Sequence, residues 1–301
     1  MIVCTTISQF REERARLLAV SETPGSLGLF PTMGYLHAGH AEMIRIARKE
    51  NRLVAVSIFV NPLQFGPNED LERYPRSPEA DEQLCRLLDV DLLFMPSIVE
   101  MYGQQPVLSS VHVGLLDSHL CGTSRPGHFD GVCTVVAKLF NIVMPTRAYF
   151  SRKDAQQLRI VRQMTRDLSF PIEIVAGPIV REKDGLAISS RNAYLTASER
   201  AIAPHIAQTL RTIRDRVAQG ERNVALLQRE AVHALEAYEG IRVDYLSFVD
   251  PDTLQPFTTL QPGHETLCAA AVYVGKTRLL DNIDVRAPAA AEYTVAARGK
   301  C

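Results

Sequence analysis

With 301 residues, the chain is long enough to bury a substantial core in one large domain or two smaller ones. Its 46% hydrophobic and 22% charged residues fit a soluble globular protein, and a formal net charge of -1 argues against nucleic acid as the main partner, because phosphate-backbone binding leaves a basic footprint. No apolar run reaches the length of a membrane span, and the N-terminal MIVCTTISQFREERARLL carries acidic residues and no cleavage-like site, so a cytoplasmic chain with no membrane partner is expected. The six cysteines, Cys4, Cys85, Cys121, Cys133, Cys268 and Cys301, show neither a CxxC pair nor regular spacing, which predicts reduced thiols.

Residues 7 to 20, ISQFREERARLLAV, have the spacing of an amphipathic helix covering a sheet edge, and SETPGS reads as a turn before the first strand. In LGLFPTMGYLHAGH, residues 27 to 40, Leu27, Leu29 and Phe30 predict a buried strand ended by Pro31. From Gly39 the sequence takes helical spacing, with Met43, Ile46 and Ala47 on one side. A helix N-terminus presents unpaired N–H groups and partial positive charge, and Gly34 and Gly39 permit close backbone approach, so this turn is a ready phosphate site. His37 and His40 share one face of the first helical turn and can donate hydrogen bonds to phosphoryl oxygens as charge builds on them. Surface or capping histidines are the plainer alternative. The spacing is not HExxH and no cysteine lies nearby, which argues against zinc.

RLVAVSIFV at 52 to 60 predicts a strand buried on both faces, giving a parallel βαβ unit. Asn61, Pro62 and Gln64 follow its C-terminal end, where ligands bind in open α/β sheets, although residues there are often plain loop residues. GPNEDLERYPRSP reads as a surface loop, EADEQLCRLLDV as a helix and DLLFMP as a third strand. Residues 98 to 124 are irregular, with a candidate strand at VHVGLL; GVCTVVAKLFNIV is a core helix. RAYFSRKDAQQLRIVRQMTRDLS gives a short strand, a turn at Ser151 to Lys153 and a helix from near Asp154. That crossover places Lys153 and Gln157 beside the histidine turn if both lie at the same sheet edge. PIEIVAGPIV is the last parallel strand. In REKDGLAISSRN, the hydroxyls of Ser189 and Ser190 and the guanidinium of Arg191 suit pyrophosphate oxygens, or form a polar turn.

Beyond Thr196 the composition shifts to two helices and then to the strands VDYLSFVD and ETLCAAAVYVGKTRLLDNIDV. The expected fold is α/β. A Rossmann-like parallel sheet flanked by helices spans residues 1–180 and carries the expected phosphate site, a smaller α+β lid spans 181–285, and the tail 286–301 is expected to be disordered. Neither GxxxxGK[ST] nor GxGxxG occurs, which speaks against a P-loop kinase and a common dehydrogenase.

PTMGYLHAGH resembles the HxGH signature of the adenylate-forming nucleotidyltransferases, and of the pantoate-β-alanine ligase (pantothenate synthetase) family in particular. VSIFVNPLQF at 56 to 65, YPRSPEAD at 74 to 81, RPGHFDGVCTVVAKLFNIV at 125 to 143, KDAQQL at 153 to 158 and REKDGLAISSRN at 181 to 192 resemble further blocks of that family in order. The likeness runs from about Phe30 to Val285.

The resemblance implies a homodimeric enzyme that uses ATP and Mg²⁺ to join pantoate to β-alanine through a pantoyl adenylate, releasing pyrophosphate and AMP. It implies catalytic roles for His37, His40, Lys153, Ser189, Ser190 and Arg191, the last three standing where related enzymes carry a KMSKS loop. It implies ATP contacts for Pro31, Thr32, Met33, Gly39, Ser151, Lys153, Asp154, Val180, Ser189, Ser190 and Arg191. Pantoate contacts are implied for Met33, Asn61, Gln64, Arg125 and Gln157, with Arg125 at the mouth of the site. Asp81 matches a carboxylate that positions Mg²⁺ directly or through water; a helix-start aspartate favoured by the dipole is the alternative. The family usually has FGxKD, whereas this chain has Phe150-Ser151-Arg152-Lys153-Asp154, so a serine stands where glycine lets nucleotide pack on the backbone. Two rivals stay open: another HxGH nucleotidyltransferase, which would want basic residues for a second phosphate where Gln64 and Gln157 stand here, and a non-catalytic nucleotide sensor.

Overall fold

The computed structural model describes residues 1–19, 26–67 and 69–289. Nearly all of the turn expected at 21 to 26, and the tail from 290 on, lie outside these residues. The elements in chain order are β1 (Ile2–Cys4), α1 (Ile7–Ala19), β2 (Leu27–Thr32), α2 (Ala38–Glu50), β3 (Leu53–Ile58), α3 (Pro78–Leu87), β4 (Leu92–Phe94), α4 (Ile98–Tyr102), α5 (Cys121–Ser124), α6 (His128–Val143), β5 (Arg147–Ser151), α7 (Ala155–Asp167) and β6 (Glu173–Gly177). They continue with α8 (Ala197–Ile202), α9 (His205–Ala218), α10 (Val224–Glu236), β7 (Ile241–Val249), β8 (Glu265–Val274) and β9 (Thr277–Arg286). The chain divides into two units, Met1–Ser118 with Gly122–Val180, and His119–Cys121 with the chain from Arg181 on.

The first unit is built on a six-stranded sheet in the order β1-β4-β3-β2-β5-β6, parallel throughout. Residues of β2, β3 and β4 are buried on both faces, as parallel sheets covered by helices require: Leu29, Val54, Val56 and Leu93 have no accessible surface. Burying each such side chain contributes about 1.5–3 kcal/mol. From β2 the chain winds outward through β3 and β4, then returns to place β5 and β6 on the other side. The order therefore reverses between β2 and β5, and at such a switch point the loops after the two strands diverge and open a crevice.

Three details depart from the sequence reading. The edge strand β1 has no counterpart there, since three residues carry no measurable alternation. Strand β2 continues through Pro31 to Thr32, opposite Ser57 and Ile58. Residues 103 to 118 contain no strand, although VHVGLL alternates: the edges of the sheet are β1 and β6, and the Val111 N–H donates instead to Thr134 Oγ1 at 3.0 Å.

The second unit carries the antiparallel sheet β7-β8-β9 with α9 and α10 packed on it. Its core includes Leu210, Ile213, Leu227, Phe248, Cys268 and Val272. A paired guanidinium and carboxylate, Arg181 Nη1 to Asp281 Oδ2 at 2.6 Å and Nη2 to Oδ1 at 2.8 Å, ties the start of this unit to β9. The tail's first residues are held as well, because β9 runs to Arg286 and Ala287 bridges to Pro262. No helix among the described residues is long and apolar enough to cross a membrane.

Candidate active site

The loop after β2 delivers His37 to the N-cap of α2 in an extended conformation, with His40 at the third helical position. The two side chains cap the helix reciprocally. His37 Nδ1 accepts the Gly39 N–H at 3.1 Å, and His40 Nδ1 accepts the His37 N–H at 3.3 Å. This is a capping box written in imidazoles, and it satisfies two N–H groups at the helix start. The rings stack with centroids 3.8 Å apart and planes 16° from parallel, and Phe30 lies behind His40 at 5.7 Å.

An accepting Nδ1 leaves the proton of a neutral imidazole on Nε2. The charge state follows from the surroundings. Burial first, then the nearby Lys153 ammonium, hold the His37 ring down to a pKa of about 4. Burial, His37 and Lys153 hold His40 well below the ordinary histidine value. At neutral pH the pair therefore offers two uncharged Nε2–H donors, with Lys153 supplying the positive charge.

A pH dependence follows. The folded value of His37, about 4, is below the ordinary histidine value of 6.5, so its contribution to stability is present above pH 6.5 and is lost as pH falls towards 4. His37→Asn keeps an N-cap acceptor and removes the titrating ring. Urea denaturation at pH 7 and pH 4.5 should show wild type losing about 2 kcal/mol more than the variant. Equal losses would refute a depressed His37.

Lys153 follows β5, which adjoins β2, so the two loops meet at the switch point. Its side chain is only 15% exposed and its Nζ lies 3.6 Å from Asp154. Ser151 is extended (φ -80°, ψ 139°), a conformation open to any residue; its Oγ accepts the Lys153 N–H at 3.1 Å and lies 3.3 Å from Pro178 O. The serine thus caps the lysine turn without backbone strain. Val180 borders Gly39, where an added Cβ would come within 4.0 Å of it. Gln157 is half-buried on α7, whereas Gln156 is buried and donates to Leu116 O at 2.9 Å.

After β3, Pro62–Gln64 forms a single 3-10 turn capped by Asn61. Helix α6 presses on it so closely that a Cβ at Gly131 would stand 2.3 Å from Leu63 O. Asn61 Nδ2 donates to Gly131 O at 3.0 Å and to Gln64 Oε1 at 3.1 Å; its Oδ1 accepts from Leu63 N at 3.3 Å and from Tyr102 Oη at 2.7 Å. These four bonds use the full capacity of the amide. Asn61 therefore orients Gln64 and presents no free group of its own. Gln64 Nε2 reaches Met33 Sδ at 3.2 Å. Arg125 Nε donates to Glu69 Oε1 at 2.7 Å and its Nη2 to Gln64 O at 3.2 Å.

Asp81 faces away from solvent, 3% exposed, and its carboxylate accepts the N–H groups of Tyr35 and Leu36. Among the described residues one group has the spacing of metal ligands, His112, Asp117 and Asp130; it is an ion-pair cluster of an exposed imidazole and two half-buried carboxylates, in which Asp130 holds the imidazole pKa up. In the second unit, Ser189 caps the turn Ser190–Tyr194 by accepting the Arg191 N–H at 3.3 Å; Ser190 is buried and Arg191 half-buried. Tyr102 and Glu69, which brace Asn61 and Arg125, carry no local sequence signal.

This arrangement, a histidine-capped helix at the switch point with a lysine turn on the neighbouring strand, coincides with a family profile. The profile described as Pantoate-beta-alanine ligase matches residues 2–284. The chain belongs to the pantoate-β-alanine ligase family. It is 50% identical over 262 residues to a pantothenate synthetase of Thermotoga petrophila, covering 87% of this chain and 92% of the relative. A pantothenate synthetase of Caldicellulosiruptor saccharolyticus is 46% identical, with 95% and 99% covered. Among solved structures, a pantothenate synthetase from Thermus thermophilus superposes with a TM-score of 0.86 at 44% identity, covering 95% of this chain and all of that one. A pantoate-β-alanine ligase from Francisella tularensis, complexed with β-γ ATP and β-alanine, gives a TM-score of 0.75 at 33% identity, with 94% and 97% covered. Membership makes the chain a ligase of pantothenate biosynthesis, an enzyme joining pantoate to β-alanine.

Proposed function

We propose that the histidine pair and Lys153 carry the adenylation half of this reaction on ATP. The observation that carries the reading is the fixed tautomer: both Nδ1 atoms are occupied by backbone N–H groups, so both Nε2–H groups are committed to donation. A pantoate carboxylate oxygen attacks the α-phosphorus, and the bond to the bridging oxygen breaks, with pyrophosphate leaving with the electron pair. The carboxylate is already anionic, so this step needs no base and catalysis reduces to positioning and charge stabilisation. His37, His40 and Lys153 stabilise the transferring phosphoryl group. The amine of β-alanine then attacks the acyl carbon and displaces AMP, with loss of a proton.

Gln64 and Gln157 orient pantoate, Met33 lines the same subsite, and Arg125 braces Gln64. Pro31, Thr32, Gly39, Ser151, Asp154 and Val180 line the nucleotide site. Ser189, Ser190 and Arg191 are assigned to the departing pyrophosphate; that assignment rests on their donor chemistry, and the closing movement of the C-terminal lid is a proposal of the same kind. Mg²⁺ would enter with the ATP phosphates and neutralise their charge. Asp81 does not fit as its direct ligand, because both oxygens are turned to backbone N–H groups in a buried setting.

Homodimerisation is proposed as well, supported by apolar side chains exposed on the first unit, Leu108 at 96% and Leu115 at 78%; light scattering checks it. A cytoplasmic setting agrees with the buried thiols of Cys4, Cys85, Cys121, Cys133 and Cys268, none of which is in a disulfide. The decisive experiment is pyrophosphate release from ATP and Mg²⁺ with β-alanine withheld. A pantoate-dependent burst of about one equivalent per site, followed by turnover when β-alanine is added, is expected. Release without pantoate dependence would point to another transferase, and binding without release to a sensor.

A further inference from the structure

Gly34 and Tyr35 both have positive φ, 87° and 52°, which for tyrosine is an unfavourable left-handed conformation. The turn brings two successive N–H groups to the same side. Tyr35 N–H donates to Asp81 Oδ2 at 2.8 Å, and Leu36 N–H donates to Asp81 Oδ1 at 2.6 Å. Converging backbone N–H groups of this kind form an anion-binding concavity, and here the anion is a side chain of the same chain. The approach is close: a Cβ at Gly34 would stand 2.9 Å from Asp81 Oδ2. Asp81 is held from the other direction, in the first turn of α3, by its own N–H bond to Ser77 O at 2.9 Å.

Leu36 immediately precedes His37. We propose that Asp81 is a positioning residue for the histidine pair: its buried carboxylate fixes the turn at Tyr35 and Leu36 and thereby sets where the chain enters the N-cap of α2. The two bonds are short and charge-assisted, which offsets the strain at Tyr35. Burial raises the carboxyl pKa and the two N–H donors counter it. This role replaces the expectation of a Mg²⁺ ligand at Asp81. Its kinetic consequence rests on the adenylating reading of the site, whereas the clamp itself does not.

Asp81→Ala and Asp81→Asn, both checked for native circular dichroism, separate the alternatives. In Asp81→Ala, amide exchange measured by NMR at Tyr35 and Leu36 should be about ten- to a hundredfold faster, as for loss of a hydrogen bond to a charged group. Asparagine accepts through Oδ1 alone, so in Asp81→Asn only one of the two amides should speed up. The kcat of pantoate-dependent pyrophosphate release should fall about tenfold or more in Asp81→Ala, with the KM for pantoate changed less than about twofold, because misplaced donors cost transition-state rather than ground-state binding. Unchanged exchange would overturn the proposal; so would faster exchange with unchanged kcat, or recovery of activity on raising Mg²⁺. If Asp81→Ala does not fold, the single-amide result in Asp81→Asn decides the clamp. If wild type shows no pantoate-dependent release, the adenylating reading fails, and exchange alone upholds or overturns the clamp.

Discussion

Replacing Lys153 with alanine will lower the rate of pantoate-dependent pyrophosphate release by about a hundredfold or more, the typical cost of removing one preorganised charge-stabilising group. The reason lies in the division of labour at the switch point. Both imidazoles are held neutral, so Lys153 brings the positive charge to that cluster. The same variant carries a second, independent signature. Lys153 contributes to the depression of His37, and with the ammonium gone the His37 pKa will rise from about 4. An NMR titration of the imidazole reads this directly. A loss smaller than about tenfold, with His37 unmoved, would make Lys153 a bystander.

His37→Asn will lower the same rate by about a hundredfold to a thousandfold while leaving the helix start intact. Asparagine is among the best N-cap residues, so its Oδ1 can take over the bond from Gly39 N–H that Nδ1 now accepts. What disappears is the Nε2–H donor. The variant thus separates capping from the proposed donation to the phosphoryl group, and its melting temperature, close to that of wild type, would show that the rate loss is chemical. A rate near wild type would mean that His37 is a cap and nothing more.

The histidine turn is legible in the sequence because several local signals agree: an apolar strand, glycines, a helical repeat and two rings on one face. The switch point can be anticipated from alternating strands and helices. What sequence reading cannot supply is the direction of individual polar groups. Asn61 stands where a ligand residue belongs, but its amide is consumed by Tyr102, 41 positions later, and Gly131, 70 positions later. Asp81 has the composition of a metal ligand and the surroundings of a clamp, because its partners lie 45 and 46 positions earlier. The false strand at VHVGLL shows the same limit. Alternation reports which side chains could share a face, and pairing requires a free neighbouring edge.

The close fit of Gly131 against Leu63 bears on substrate scope. Because the backbone of Leu63 and Gln64 stands where any larger residue at 131 would place its side chain, α6 leaves no room for one there. The Gln64 side chain also touches the thioether of Met33, an unbranched and adaptable side chain. With Gln64 and Met33 in the pantoate subsite, as proposed above, engineering toward bulkier hydroxy acids starts by trimming Met33 and leaves position 131 alone.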